Sequence, residues 1–445
     1  MLIGNRHISY LLAITLTVSS SCSAPVEPAF PNPRIVPVAK GWAKNSVNAT
    51  IFRINSVATY ADTQYIVFYS EDSHVLLAKR KLGTTDWQIH KTRYKGNTKD
   101  AHNGISIAVD GRGILHMSWD HHCDPLNYCH SVAPGSLQLT DKMHMTGQNE
   151  NKVTYPEFYN LQNGDLLFLY RDGSSGNGNT MLNRYDVQTK KWSVVQHPLI
   201  HGQGQRNAYT NQIAIDKHGN WHISWCWRET GDVATNHDIC YAKSTNEGNS
   251  WQKSTGEKYA LPITADNAEY GCRIPQNSEL INQTSMTVDS KGRPLIATYW
   301  RPEGTKVPQY HLTYYDGQKW HTSQISKREA AFSLSGGGTK RLPISRPKIL
   351  ADSSDRLYLI FRDQERAGRV SVAVCQDPKR MKWCIEDLTE HSVGLWEPSY
   401  DSVLWQQENV LHLFLQNVEQ KDRDVLEEIP PTMVSVLEWT PHEII

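Results

Sequence analysis

Short hydrophobic runs separated by turn residues recur along the whole chain. Leu115 to Trp119 follows the turn at Asp110-Gly111, Leu167 to Arg171 follows Asn163-Gly164, and His222 to Trp225 follows Asp216 to Gly219. Similar runs end near Tyr69, Tyr299, Phe361 and Phe414. Each run follows a partner strand across its turn, and the spacing of roughly 50 to 75 residues is that of a propeller blade with variable loops. No helical period of useful length interrupts the pattern after the first residues, and turn signals recur throughout. The pattern predicts an all-β chain, a seven-bladed β-propeller forming a single domain over residues 41–445.

The start of the chain reads differently. Arg6 and His7 precede an apolar stretch from Leu11 to Val18, and the small residues Ser19 to Ser21 lead to Cys22. This is the layout of a secretory signal peptide over residues 1–22, too short to span a membrane. Cys22 stands where a lipoprotein signal carries its lipidated cysteine, although Ser19 occupies a position that usually holds Leu. The expectation is a secreted, periplasmic or cell-surface protein, with ordinary cleavage and an outer-membrane lipid anchor at Cys22 both open. Residues 23–40, rich in Pro and Val, read as a tether.

Charge narrows the partners. With 46 basic and 46 acidic residues the formal net charge is zero, so nothing indicates bulk binding to nucleic acid or a membrane surface. Eight cysteines in an exported chain invite pairing. Cys123 with Cys129, and Cys375 with Cys384, are expected disulfides. Cys226, Cys240 and Cys272, with His237 three residues before Cys240, fit a structural zinc site of three thiolates and one imidazole. One disulfide plus one buried thiol fits them equally.

Propeller geometry says which distant residues meet. In each blade the start of the inner strand and the end of its antiparallel partner lie on one rim. That rim collects His102, Asn103, His121 and His122 from the second blade, and Tyr155 and Arg171 from the third. The fourth offers Arg206, Tyr209 and Arg228, the fifth Arg301, and the sixth Arg346 and Arg362. Guanidinium groups match carboxylate and sulfate in shape and keep their charge, so the rim implies an anion site. His and Tyr beside it can exchange protons. The chain has no Gly-x-Ser-x-Gly elbow, no His-Glu-x-x-His motif and no phosphate loop. Paired carboxylates do not dominate the rim, which weakens a two-acid glycosidase. This set suits β-elimination on an acidic polysaccharide. Arg171 would neutralise a uronate carboxylate, and His102, His122 and Tyr155 would handle protons, with His and Tyr both open as the base.

The segments Asp100 to Gly104, Ser118 to His122, Val153 to Phe158 and Leu167 to Gly176 resemble those of seven-bladed propellers with BNR-type repeats, most of all the bacterial ulvan lyases. The resemblance covers most of the chain after the leader and is strongest over residues 100–240. It implies a polysaccharide lyase acting on ulvan, a sulfated uronate polymer, with no organic cofactor. It also implies catalytic roles for His102, His122, Tyr155 and Arg171, and substrate binding by Tyr209. Which of His121 and His122 enters the site is left open. Two other readings remain. Ser244 to Trp251 resembles the Asp box of sialidase-like hydrolases, with Asn246 in the Asp position, and a non-catalytic carbohydrate-binding propeller would keep the aromatics and the Arg residues.

Overall fold

The computed structural model describes residue 1 and residues 33–52, 55–377 and 381–441. Its strands form seven antiparallel sheets of three to five strands, the blades of a seven-bladed β-propeller. Blade 2 shows why the runs fold this way. Ile105–Val109 pairs with Leu115–Trp119 across a tight turn, in register from Ile105 opposite Trp119 to Val109 opposite Leu115. All ten residues are buried, because each blade is covered on both faces by its neighbours. Strands buried on both faces read as continuous apolar runs without strict alternation.

The turns at the lower end of the inner strands repeat one device. Asp110 accepts from the amides of Arg112 and Ile114, and Asp216 accepts from those of His218 and Asn220. Asp289 and Asp352 do the same with the second and fourth residues that follow them. A short side chain satisfying its own turn explains the Asx positions in the repeat. Where blades 2 and 3 touch, a Cβ on Gly111 would stand 2.7 Å from the Gly164 Cα, so the close approach requires glycine. His116 and His222 are buried partners of Tyr128 and Tyr241, each at 2.7 Å, and serve packing.

Blade 7 is closed by the two ends of the domain. Its outer strand is Arg34–Gly41, paired with Thr432–Trp439 from Arg34 opposite Glu438 to Gly41 opposite Thr432. Residues 34–40 are therefore part of the ring rather than a tether, since their backbone covers an otherwise open sheet edge. The leader, including Cys22, lies outside the described residues.

Neither expected disulfide forms among the described cysteines. Cys123 sits in His122–Asp124, which joins the sheet of blade 3, whereas Cys129 belongs to blade 2. Cys384 pairs with Val374 and Cys375 with Trp383, so the two thiols lie on opposite faces of their sheet. The melting temperature is thus expected to be the same with and without a thiol reductant. Calorimetry checks this, and a drop of several degrees on reduction would reinstate a disulfide.

The zinc set is dispersed in the same way. Cys226 and Cys240 are buried in different hydrophobic clusters, on the two faces of the blade 4 sheet. The His237 ring bonds Asp238 at 3.0 Å and Glu229 at 2.8 Å. Cys272 lies near the Thr322 hydroxyl. Cys226, His237, Cys240 and Cys272 do not converge, and burial holds the first and third of these as neutral thiols.

Candidate functional site

The side chains on the upper rim of blades 2, 3 and 4 are brought together by one departure from regular blades. His122–Asp124 leaves blade 2 and pairs with the inner strand of blade 3, placing His122 opposite Thr154. Asp120 and Cys123, at φ of +66° and +70°, flank the two histidines and turn them to opposite sides. His121 goes inward. It is 1% exposed, its Nε2 accepts from the Asn127 amide, and burial pulls its imidazole down to about 3. His122 faces the rim with its side chain 35% exposed.

His102 and His122 stack at 4.1 Å between ring centroids, and one carboxylate clamps both. Asp100 Oδ1 lies 2.5 Å from His102 Nδ1, and Oδ2 lies 2.6 Å from His122 Nδ1. Burial opposes an ionised Asp100, but hydrogen bonds from both imidazoles outweigh it and hold the acid far below the usual carboxylate range. An ionised carboxylate only accepts, so both Nδ1 atoms carry hydrogen, and a neutral ring in this tautomer keeps the lone pair on its Nε2. Burial holds the His102 pKa below the usual value for histidine, against the opposing pull of Asp100. His102 is therefore neutral around pH 7.

Tyr155 occupies a bulge. Pairing of Val153–Asn160 with Leu166–Ser174 slips between Thr154 and Glu157, and Tyr155 takes φ of +54°. An aromatic residue in this region costs about 1–3 kcal/mol, and bulges of this kind re-aim side chains at functional sites. The ring stands 6.1 Å from His102, 6.2 Å from Tyr209 and 5.0 Å from Phe52. Burial, reinforced by Tyr209, pushes the Tyr155 hydroxyl well above its usual pKa, so it holds its proton.

Tyr209 goes the other way. Burial alone would raise it, yet Arg171 and Arg228 outweigh burial and hold it below the usual phenol range. Their Nη1 atoms lie 3.3 and 3.4 Å from its hydroxyl, and Ser175 Oγ lies at 2.7 Å. The Arg171 guanidinium sits 5.0 Å over the Tyr155 ring.

The rim arginines now separate. Arg206 is paired with Glu229, Arg301 with Glu279, and Arg346 with Glu397. Arg362 is 1% exposed and donates to the carbonyls of Leu342, Pro343 and Trp396, which makes it a strut. Asn103 is also internal at 3% exposure, donating to the Asn97 carbonyl. Arg171 and Arg228 donate to backbone carbonyls and to Tyr209 and form no ion pair among the described residues. Two guanidiniums without an ion-pair partner among the described residues thus stand beside the neutral His102 imidazole, a charge pattern that suits an anion.

Four expected residues meet here: His102, His122, Tyr155 and Arg171, with Tyr209 and Arg228 behind them. Arg346 borders the group, 5.6 Å from the Phe52 ring. Sequence reasoning missed Asp100 and Phe52, although Asp100 lies two residues before His102. Asp100, His102 and His122 also form the one cluster of metal-ligating type found among the described residues, with donor atoms within 4.8 Å of one another. Both Nδ1 atoms are already engaged with the carboxylate, so a cation there would compete with the clamp.

Asp100→Asn should lower turnover by up to about 10⁴-fold, as when the carboxylate that fixes a proton-transferring imidazole's tautomer becomes an amide. An amide accepts on one side and donates on the other, forcing one ring into the wrong tautomer. Removing the charge that raises the His102 pKa should also move the acid limb of the pH–rate profile to lower pH. An unchanged limb would make the clamp merely structural.

Comparisons with known proteins agree with the architecture. A family model described as BNR repeat-containing family member matches residues 63–328. An Alteromonas sp. ulvan lyase, long isoform, is 26% identical over 335 residues, covering 60% of this chain and 33% of that protein. The chain thus spans about a third of the length of such long relatives. An ulvan lyase from Alteromonas sp. strain LOR is 22% identical over 290 residues, 58% of each. Among solved structures, polysaccharide lyase Uly1 superposes with a TM-score of 0.66 at 16% identity, covering 87% of this chain and 90% of that one. A PL25 ulvan lyase bound to -[GlcA(1-4)Rha3S]- gives 0.66 at 14% identity, with coverage of 92% and 96%. At these identities the superpositions establish the shared fold.

Proposed function

This chain belongs to the BNR repeat-containing family, and from that premise and the geometry of its rim we propose that it is a polysaccharide lyase. It cleaves a sulfated uronate polymer of the ulvan type by β-elimination and leaves an unsaturated uronyl end. The observation that carries the reading is the juxtaposition of Arg171 and Arg228, without an ion-pair partner among the described residues, with the clamped pair His102–His122 and the protonated Tyr155. The ulvan lyase names of the relatives support the substrate class.

The chemistry follows from what each group can hold. The C5 proton of a uronate is weakly acidic, and charge that develops on the carboxylate must be stabilised, usually the largest contribution to such a step. Arg171 receives the carboxylate, with Arg228 and Tyr209 behind it. A neutral Nε2 of the histidine pair takes the C5 proton. The electron pair forms the C4–C5 double bond as the C4–O bond breaks, and the Tyr155 hydroxyl delivers its proton to the departing oxygen. The depressed His102 and the raised Tyr155 favour imidazole as base and phenol as acid. Both groups then re-equilibrate with solvent.

A sialidase-like hydrolase fits less well. Such hydrolases use a Tyr–Glu pair as nucleophile; Tyr159 and Glu157 are hydrogen-bonded here but buried, and burial pushes Glu157 up to about 8. Ser244 and Asn246 close their own turn, with Asn246 accepting from the Ser250 amide, as a structural motif does. A pure binding module has no need of a carboxylate clamping two imidazoles. The reading takes the chain to be exported through its leader, where such polymers are met.

Ultraviolet absorbance during incubation with ulvan tests the proposal, since elimination creates a conjugated double bond and hydrolysis does not. Absorbance should rise with ulvan and less with unsulfated uronate polymers. Reducing ends without absorbance would replace the lyase by a hydrolase, and silence in both assays would leave a binding module.

A further inference from the structure

The central channel opens at the face opposite the site into a cavity of about 350 Å³. Its mouth is ringed by the turns at Asp216, Asp289 and Asp352, whose carboxylates are engaged by their own loops. Its lining includes Lys348, Tyr400 and Gln212. Lys348, on the inner strand of blade 6, is 2% exposed, and its ammonium forms no hydrogen bond or ion pair with any described residue. Its charge meets the Tyr400 ring face at 5.7 Å. Neither the Tyr400 hydroxyl nor the Gln212 amide bonds a described residue. Gln212 takes φ of +77° in a bulge of the blade 4 inner strand, a strained conformation that places it on the cavity wall.

A buried ammonium without a counter-ion is costly, and lysine responds by losing its proton or acquiring an anion. We propose that this cavity is a binding site for a small singly charged anion, a carboxylate or a halide. Lys348 is the counter-ion, and Tyr400 and Gln212 are further donors. The site is separate from the lyase chemistry, whose groups lie on the other rim.

The other titratable groups acting on Lys348 are Glu157 on blade 3 and Glu397 on blade 7, the latter held by Arg346. Burial pulls the Lys348 amine down to about 7 and pushes Glu157 up to about 8, so near neutrality neither is fully charged. A bound anion favours the protonated amine. Binding is therefore strong below about pH 7 and is lost as the pH rises through it.

Calorimetry of the whole chain and of Lys348→Met, in chloride, acetate or glucuronate at matched ionic strength, tests the site. At pH 6 one or more of these anions should raise the wild-type melting temperature by about 2–4 °C, roughly what ligand at 100-fold its Kd supplies in a large domain. The rise should be absent in Lys348→Met and reduced at pH 8.5, and the anion with the largest shift identifies the class. Cleavage of ulvan should be equal in the two proteins. Equal thermal responses, or none in the wild type, would overturn the site. Should Lys348→Met fail to fold, wild-type crystals soaked in bromide decide. An anomalous peak, or carboxylate density in a parallel acetate soak, within hydrogen-bond distance of Lys348 Nζ supports the proposal, and the absence of both sinks it.

Discussion

Tyr155→Phe is expected to lower kcat on ulvan by about 10²- to 10⁴-fold, the span for a lost general acid, with the melting temperature unchanged. The Tyr155 hydroxyl bonds no described residue, so removing it costs no structural hydrogen bond, and the ring keeps its contacts with Phe52 and His102. The strained bulge at φ of +54° holds the ring in place whether or not it carries oxygen. The pH profile sharpens the prediction. A phenol pushed above its usual pKa stays protonated through the alkaline range, so wild-type activity should show no alkaline limb at or below pH 10. The acid limb should lie below pH 6.5, since His102 must be neutral and its pKa is depressed. An alkaline limb near pH 8, or a melting temperature that falls together with activity, would remove Tyr155 from the acid role.

Arg171→Ala should cost about 10²- to 10³-fold in kcat/KM, comparable with losing one donor from a site of developing charge. Arg171→Lys should recover part of it, because lysine restores the charge without the planar fork that grips a carboxylate. A second readout is independent of substrate. Arg171 and Arg228 together hold Tyr209 below the usual phenol range, so in Arg171→Ala the Tyr209 pKa should rise, visible as a later step in the ultraviolet titration of the tyrosines. Equal activity in wild type, Ala and Lys would dismiss the neutraliser. A displaced titration with unchanged activity would leave Arg171 tuning Tyr209 alone.

Much of this geometry is already legible in the chain. Asp110, Asp216, Asp289 and Asp352 mark turns, and the apolar runs between them mark strands, because both signals are local. The rim positions follow from strand order, since antiparallel pairing fixes that Asn207 lies opposite Arg228 and Thr154 beside Arg171. The meeting of His102, His122, Tyr155 and Arg171 is thus implied by adjacency of two blades.

Selection among the rim residues is another matter. Arg206, Arg228, Arg301, Arg346 and Arg362 look alike in sequence, yet three are neutralised by glutamates, one is a buried strut and one has no ion-pair partner among the described residues. His121 and His122 are consecutive, and only the positive φ values around them decide which faces the site. The cysteines fail as disulfides and as a zinc set because strand pairing sends them to different sheets or opposite faces.

The blade repeat, the rim on which each polar residue stands and the supply of His, Tyr and Arg are written in the chain, because they depend on periodicity within one hairpin. Ring closure settles which arginines lack an ion-pair partner among the described residues, that Asp100 binds both histidines, that residues 34–41 complete blade 7, and that Lys348 meets no described counter-ion in the channel. Each of those depends on partners brought together by closure of the ring, and ion pairing at a few ångströms leaves no periodic trace along the chain.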